Sequence, residues 1–298
     1  MQSLEEAFAA AASERIPVGN CAACGAGVDL GPHQTLRECP FCKGAWVMNT
    51  SMRRGARPTA MIPFEVDYEE ASFYLSHWLK NAPCVVDELQ NLRTGRDGLK
   101  GIYLPYWTFD SRTTTQYTGK RGTGPKGRES WEDVSGVAQR SFNDLMVPAS
   151  RCMPRENLDA LEPWLLDKLE PIRPDYVAGF TVEASTMSLE QAFELARPRM
   201  DDKICDTIGK KIGGTDYRIT SRTTTHTDIR FRYILLPVWL GVYRHEGKLY
   251  RVVINARSGE VHGDPPPRSV TKVAVRTVKA YFIAFILVTL FFWLQILF

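Results

Sequence analysis

The chain has 298 residues, more than one ordinary domain needs, so two or three folded units with a genuine hydrophobic core are expected. Its 37 basic and 34 acidic residues leave a formal net charge of +3. That near balance excludes the strongly basic composition of a dedicated nucleic-acid binder and leaves only local clusters to support such a role. Four of the seven cysteines form two CxxC pairs, while Cys84, Cys152 and Cys205 are scattered. This usage excludes a disulfide framework and predicts a reducing compartment. Met1 to Ser13 carries Glu5 and Glu6 and lacks a basic segment followed by an apolar core, so the N-terminus is expected in the cytoplasm.

Residues 1–50 comprise an N-terminal segment and a ribbon, with Cys21 and Cys24 in one knuckle and Cys39 and Cys42 in the other. Each CxxC turn points two thiolates the same way, and the glycines that follow, Gly25 and Gly44, relieve strain where amides approach sulfur. Two such turns close a tetrahedral site of four sulfurs, which predicts one structural Zn2+ with no open position for substrate. His33 is an alternative ligand and a redox-active dithiol an alternative chemistry, but four sulfurs at standard spacing favour zinc. Residues 51–62 are rich in turn formers and read as a linker, in which Arg53, Arg54 and Arg57 are candidate phosphate contacts.

A pattern then occurs twice. Phe64-Glu-Val-Asp67, an amphipathic stretch over 69–81 and Ile102-Tyr-Leu-Pro-Tyr-Trp107 match Phe180-Thr-Val-Glu183, a stretch over 188–211 and Ile234-Leu-Leu-Pro-Val-Trp239. Both copies read strand, helix, strand, predicting two α+β modules over 63–178 and 179–266. Ala71, Phe73, Tyr74, Trp78 and Leu79, and later Leu189, Ala192, Phe193, Leu195 and Ala196, are the expected core stripes. Pro105 and Pro237 cannot donate a ladder hydrogen bond and are expected at an edge or bulge, with Trp107 and Trp239 as apolar anchors. A second coincidence, Ser-Arg-Thr-Thr-Thr at 111–115 and 221–225, is offset by 110 residues rather than 132 and reads as exposed strand. Residues 119–128 form a glycine-rich basic loop without the GxxxxGK[ST] arrangement, and 239–261 read as a β-meander.

The tail, 267–298, ends in an uncharged stretch over 280–298, about 28 Å long as a helix against a hydrocarbon core of about 30 Å. Arg268, Lys272, Arg276 and Lys279 precede it on one helical side, and Trp293 lies within it as an aromatic anchor. The expectation is a single transmembrane helix in a bacterial cytoplasmic (inner) membrane, with the lipid bilayer as a partner and the bulk of the chain cytoplasmic. The five histidines fall in no metal-ligand pattern, no GxSxG or GxGxxG fingerprint occurs, and adjacent carboxylates such as Glu69 and Glu70 point apart on a helix. No catalytic residue is therefore predicted.

Together, the CxxC/CPFC ribbon, residues 102–122 (IYLPYWTFDSRTTTQYTGKRG), residues 234–266 (ILLPVWLGVYRHEGKLYRVVINARSGEVHGDPP) and the apolar tail resemble a family of bacterial zinc-ribbon membrane proteins. The ribbon is of the TFIIB type, and members are often labelled as related to the primosomal protein N′ helicase. The chain has no Walker motif, so helicase activity is not carried over. Some similar proteins look like anchors for stomatin- or flotillin-like scaffolds, and the resemblance implies a protein partner of that kind. Three functions follow as expectations: a non-catalytic, tail-anchored scaffold or docking protein, a membrane-tethered nucleic-acid-binding ribbon, or an enzyme whose site is assembled only in the fold.

Overall fold

The structure, a computed structural model, describes residues 14–29, 36–46, 49–80, 98–125, 130–150, 152–185, 187–245 and 247–264. In chain order they form β1 (Glu14–Asn20), β2 (Gly27–Asp29), β3 (Asn49–Gly55), β4 (Ala60–Met61), α1 (Tyr68–Lys80), β5 (Lys100–Thr123) and β6 (Ser130–Pro148). There follow α2 (Arg155–Asp159), β7 (Glu170–Pro171), α3 (Pro174–Val177), β8 (Thr181–Val182), α4 (Leu189–Ile212), β9 (Asp216–His245), β10 (Lys248–Asn255) and β11 (Val261–Gly263). Strand outweighs helix, 49% to 23%, so the expected α+β balance gives way to a mainly β protein.

Strands β1 to β3 make a small antiparallel sheet in the order β2-β1-β3, and the remaining eight strands share one large sheet. The two expected modules are therefore not separate bodies. Strands β5 and β9 run antiparallel from Lys100↔Leu240 to Gly122↔Asp216 and form the common spine. Leu104 faces Leu236 there, flanked by Tyr103↔Pro237 and Pro105↔Leu235, which is the register of a local two-fold axis. The first strand of each copy crosses over: β4 lies parallel to β9 at Ala60↔Ile234, and β8 lies parallel to β5 at Ile102↔Thr181. Each copy completes the other's sheet, because a strand of two residues has too little surface to make a core alone.

The prolines explain themselves in this arrangement. Instead of edge positions, Pro105 and Pro237 occupy the spine where the outer neighbour changes, from β8 to β6 and from β4 to β10. No carbonyl is needed opposite the missing N–H at such a gap, and the proline carbonyls accept from Ala149 and Ala256 at 2.9 and 3.1 Å. Residues 64–67 of the first copy are not a strand: the amides of Glu65 and Val66 donate to Ala256, Asp67 caps α1, and Phe64 stacks on Phe180 at 4.0 Å.

The two Ser-Arg-Thr-Thr-Thr segments lie opposite each other on β5 and β9, Thr114 against Thr225 and Thr115 against Thr224. Their odd offset is thus the register of two antiparallel partners and not a repeat. Beyond Phe109 the spine continues with β6 as a three-stranded arm. Ser111, Thr113, Thr115 and Tyr117 are buried under α4, while Arg112, Thr114, Gln116 and Thr118 on the other face are exposed. The helix buries Leu189, Ala192, Phe193, Ala196, Met200, Ile204, Ile208 and Ile212, with Ser188 and Gln191 closing a capping box at its start. Leu195 and Phe73, both expected in core stripes, are exposed instead.

The expected linker is also structured: residues 51–55 belong to β3, paired with β1, and 60–61 are β4. The membrane expectation is corrected as well. Among the described residues no helix is long and apolar enough to cross a membrane. The longest, α4, carries charged residues on every turn, among them Glu190, Glu194, Arg197, Asp201 and Lys203. Residues 280–298, together with Arg268, Lys272, Arg276, Lys279 and Trp293, lie outside the described residues. A transmembrane helix and a single-pass inner-membrane location are accordingly not retained.

Candidate metal centre

The two knuckles form as tight turns. In the first, Gly25 donates to the Cys21 carbonyl and Cys21 to that of Ala26, both at 2.9 Å. In the second, Lys43 donates to Cys39 and Cys39 to Gly44, both at 2.8 Å. Each turn needs a left-handed residue. Gly25 supplies one at φ 73°, but in the second knuckle Lys43, at φ 57°, takes the role expected of Gly44. Gly44 is needed for a different reason: a Cβ there would meet the Cys42 sulfur and the Ala23 methyl, each at 3.3 Å, and its amide donates to Cys42 Sγ at 3.4 Å.

The result brings Cys21, Cys24, Cys39 and Cys42 together with all four sulfurs within 4.8 Å of one another. Cys21 and Cys42 are 3.8 Å apart, and Cys24 and Cys39 3.7 Å. Metal–sulfur bonds of about 2.3 Å at tetrahedral angles separate sulfurs by about 3.8 Å, so the cluster fits a four-coordinate thiolate metal. These four residues can bind a metal ion. Among the described residues no other group of three or more histidine, cysteine or acidic side chains is arranged for this.

Electrostatics point the same way. Burial and the neighbouring sulfurs hold the Cys24 thiol up at about 11, and burial, with the Cys24 charge adding to it, pushes Cys39 up as well. Burial also opposes ionisation of Cys21, but amide hydrogen bonds from Cys24 and Ala23 and the adjacent thiols outweigh it and bring that thiol down to about 7. The sulfurs compete for negative charge, and a divalent cation among them removes the conflict.

The knuckles do not stand apart from the sheet. Cys21, Cys39 and Cys42 are buried, and with Val28 and Phe41 they pack into one core with Ile62, Ile102, Leu104, Tyr106 and Val253 of the body. Only Cys24 is exposed. A β-bridge joins Val28 to Glu183, and the Ala184 amide donates to Gly27 at 3.1 Å. From β10, Arg251 Nε donates to the Phe41 carbonyl inside the second knuckle at 3.1 Å. Nothing in the sequence signalled Arg251, because 210 positions separate it from Phe41. Within this core, burial and the Glu183 carboxylate push the Cys152 thiol well up, with Ser150 and Arg251 pulling the other way.

Other candidate residues fall into structural roles or outside the described residues. Glu70 closes a capping box with Asp67 at the start of α1, and Asp201 pairs with Arg222 at 3.2 Å. Burial raises the Asp29 carboxyl against the opposing charge of Arg57. Arg53 and Arg54 lie in β3, residues 119–123 of the glycine-rich loop extend β5, and His33 is outside the described residues. His226, held below the usual imidazole range by burial and by Arg197, shares a 3.1 Å hydrogen bond with Ser111. Ser111 is only 2% exposed, too enclosed for a nucleophile that must meet substrate.

No family model matches the chain, and no solved structure matches it. A protein of Bacillus subtilis (strain 168), uncharacterized protein YdjG, is 25% identical over 236 residues, covering 75% of this chain and 68% of that one. The name of this relative assigns no activity.

Proposed function

We propose that the chain is a non-catalytic docking protein whose four cysteines hold one structural Zn2+. The observation that carries this reading is the closed set of four sulfurs, at 3.7 and 3.8 Å across the two pairs, set into the core shared by ribbon and sheet. Four thiolates fill a tetrahedral shell, so the ion offers no position to a substrate and serves architecture. A soft, all-sulfur donor set favours zinc over magnesium, calcium or manganese. A stomatin- or flotillin-like scaffold, the partner that the resemblance of the sequence implies, is the class to test first.

Two measurements test the reading. Elemental analysis of the full chain, purified without chelators, should return about one zinc per chain, and a metal-free protein would overturn the cofactor. Crosslinking in native cells followed by mass spectrometry should recover a stable protein partner. Recovery of the chain alone under repeated mild conditions would overturn the docking role.

A further inference from the structure

We infer that Arg251, a residue of the sheet and not of the ribbon, is the positioning residue that fixes the second knuckle of a four-cysteine metal centre against the core of the sheet. This rests on the zinc reading above. Four thiolates around a divalent ion carry two net negative charges. Cys39 is 0%, Cys21 2% and Cys42 4% exposed, so most of that charge is withdrawn from water among Ile62, Ile102, Leu104 and Val253. A buried net charge is costly unless donors and opposite charge are fixed beside it. The ribbon supplies donors, such as the Gly44 amide to Cys42 Sγ.

Arg251 supplies a donor from the sheet. Its Nε–H reaches the Phe41 carbonyl, on the peptide that leads directly into the ligand Cys42. That contact orients the peptide. The side chain is aimed by a rigid frame: Arg251 pairs with Val242 in the ladder of β10 and β9. Its amide donates to Asp264 Oδ2 at 3.2 Å, and its carbonyl accepts from the Asp264 amide at 2.9 Å. Arginine suits the place because its charge persists in a low-dielectric site and its Nε–H donates along a fixed direction. Groups that orient a metal's ligands commonly change affinity about 10- to 100-fold when removed.

The test uses full-length protein loaded with Zn2+ and titrated with a chromogenic chelator. Arg251→Met, which keeps much of the volume without the charge, should lose zinc at least about tenfold more readily than the wild type, and Arg251→Lys should fall between them. In the Co2+-loaded protein, Arg251→Met should shift the thiolate-to-metal charge-transfer band, because the peptide that carries Cys42 is no longer held in place. Wild-type zinc retention and an unmoved band in a folded Arg251→Met protein would overturn the inference. If that variant fails to fold, Arg251→Lys, which keeps the charge but lacks the Nε–H, decides: zinc retention equal to that of wild type overturns the inference, and a measurable loss supports it. A wild type that holds no zinc overturns the cofactor itself, so the two failures are distinguishable.

Discussion

The sheet is stabilised differently at its two ends. At one end, ribbon segments of three to seven residues pack against the body through two cysteine knuckles. At the other, the arm of β5, β6 and β9 is covered on one face by the 24-residue α4. Both ends bury apolar surface, but the knuckles consist largely of turns and have few side chains to bury. A metal ion held by the four cysteines would supply there the cross-link that a row of helix residues supplies to the arm. The difference teaches that the ribbon is not an independent knob: its ligands and the sheet's core side chains occupy the same interior.

The sharpest way to break this comparison is to remove a ligand. Cys39→Ser should abolish zinc retention and destabilise ribbon and sheet together, by on the order of 5 kcal/mol or more, read by urea unfolding and near-ultraviolet circular dichroism. A sheet that unfolds at its wild-type midpoint would show the two regions to be independent. At the other end, Phe193→Ala beneath the arm should cost about 3–4 kcal/mol while zinc content stays at wild type. Loss of metal in that variant would mean that the ends are tightly coupled.

Acidification separates the ends in a different way. The Cys24 thiol, at about 11, and the raised Cys39 thiol hold protons near neutral pH that a metal must expel. Falling pH therefore weakens binding, by at least about hundredfold per pH unit for these two protons, with Cys21 adding a third below about pH 7, measured by competition between about pH 6.5 and 8.5. A pH-independent affinity would contradict the thiol assignment. The smallest effect is at the helix cap: Ser188→Ala removes the acceptor for the Gln191 amide and should cost about 1 kcal/mol in chemical denaturation, with no change in metal content.

The cluster of Cys21, Cys24, Cys39 and Cys42 was legible because a CxxC turn is a local object: four residues fix two thiols, and two such turns suffice for a cluster. The start of α4 at Ser188 was legible for the same reason, since capping and the apolar period both act within a few residues. The stripe of α1 was only partly legible. Phe73 shares the helical period, yet only the positions of β10 and β11 select Ala71, Leu75 and Leu79 as the buried face. The repeat was visible as pattern but its meaning was not, because a strand–helix–strand sequence folds equally well onto itself or onto its copy. Reading residues 51–62 as a linker failed similarly, since the pairing that makes β3 is with β1 and that of β4 is with β9.

The sequence by itself determined the short-range features of this protein: the two knuckles, the capped helix, the alternation of the threonine-rich strands and the prolines that cannot donate. Only the tertiary structure decided which distant segments meet. It exchanged β4 and β8 between the repeats, set the two threonine runs face to face, and brought Arg251 to the second knuckle. The physical reason is range: turn geometry, capping and periodicity are settled by near neighbours, whereas strand pairing and burial of charge depend on chain that arrives from far along the sequence, 210 positions in the case of Arg251.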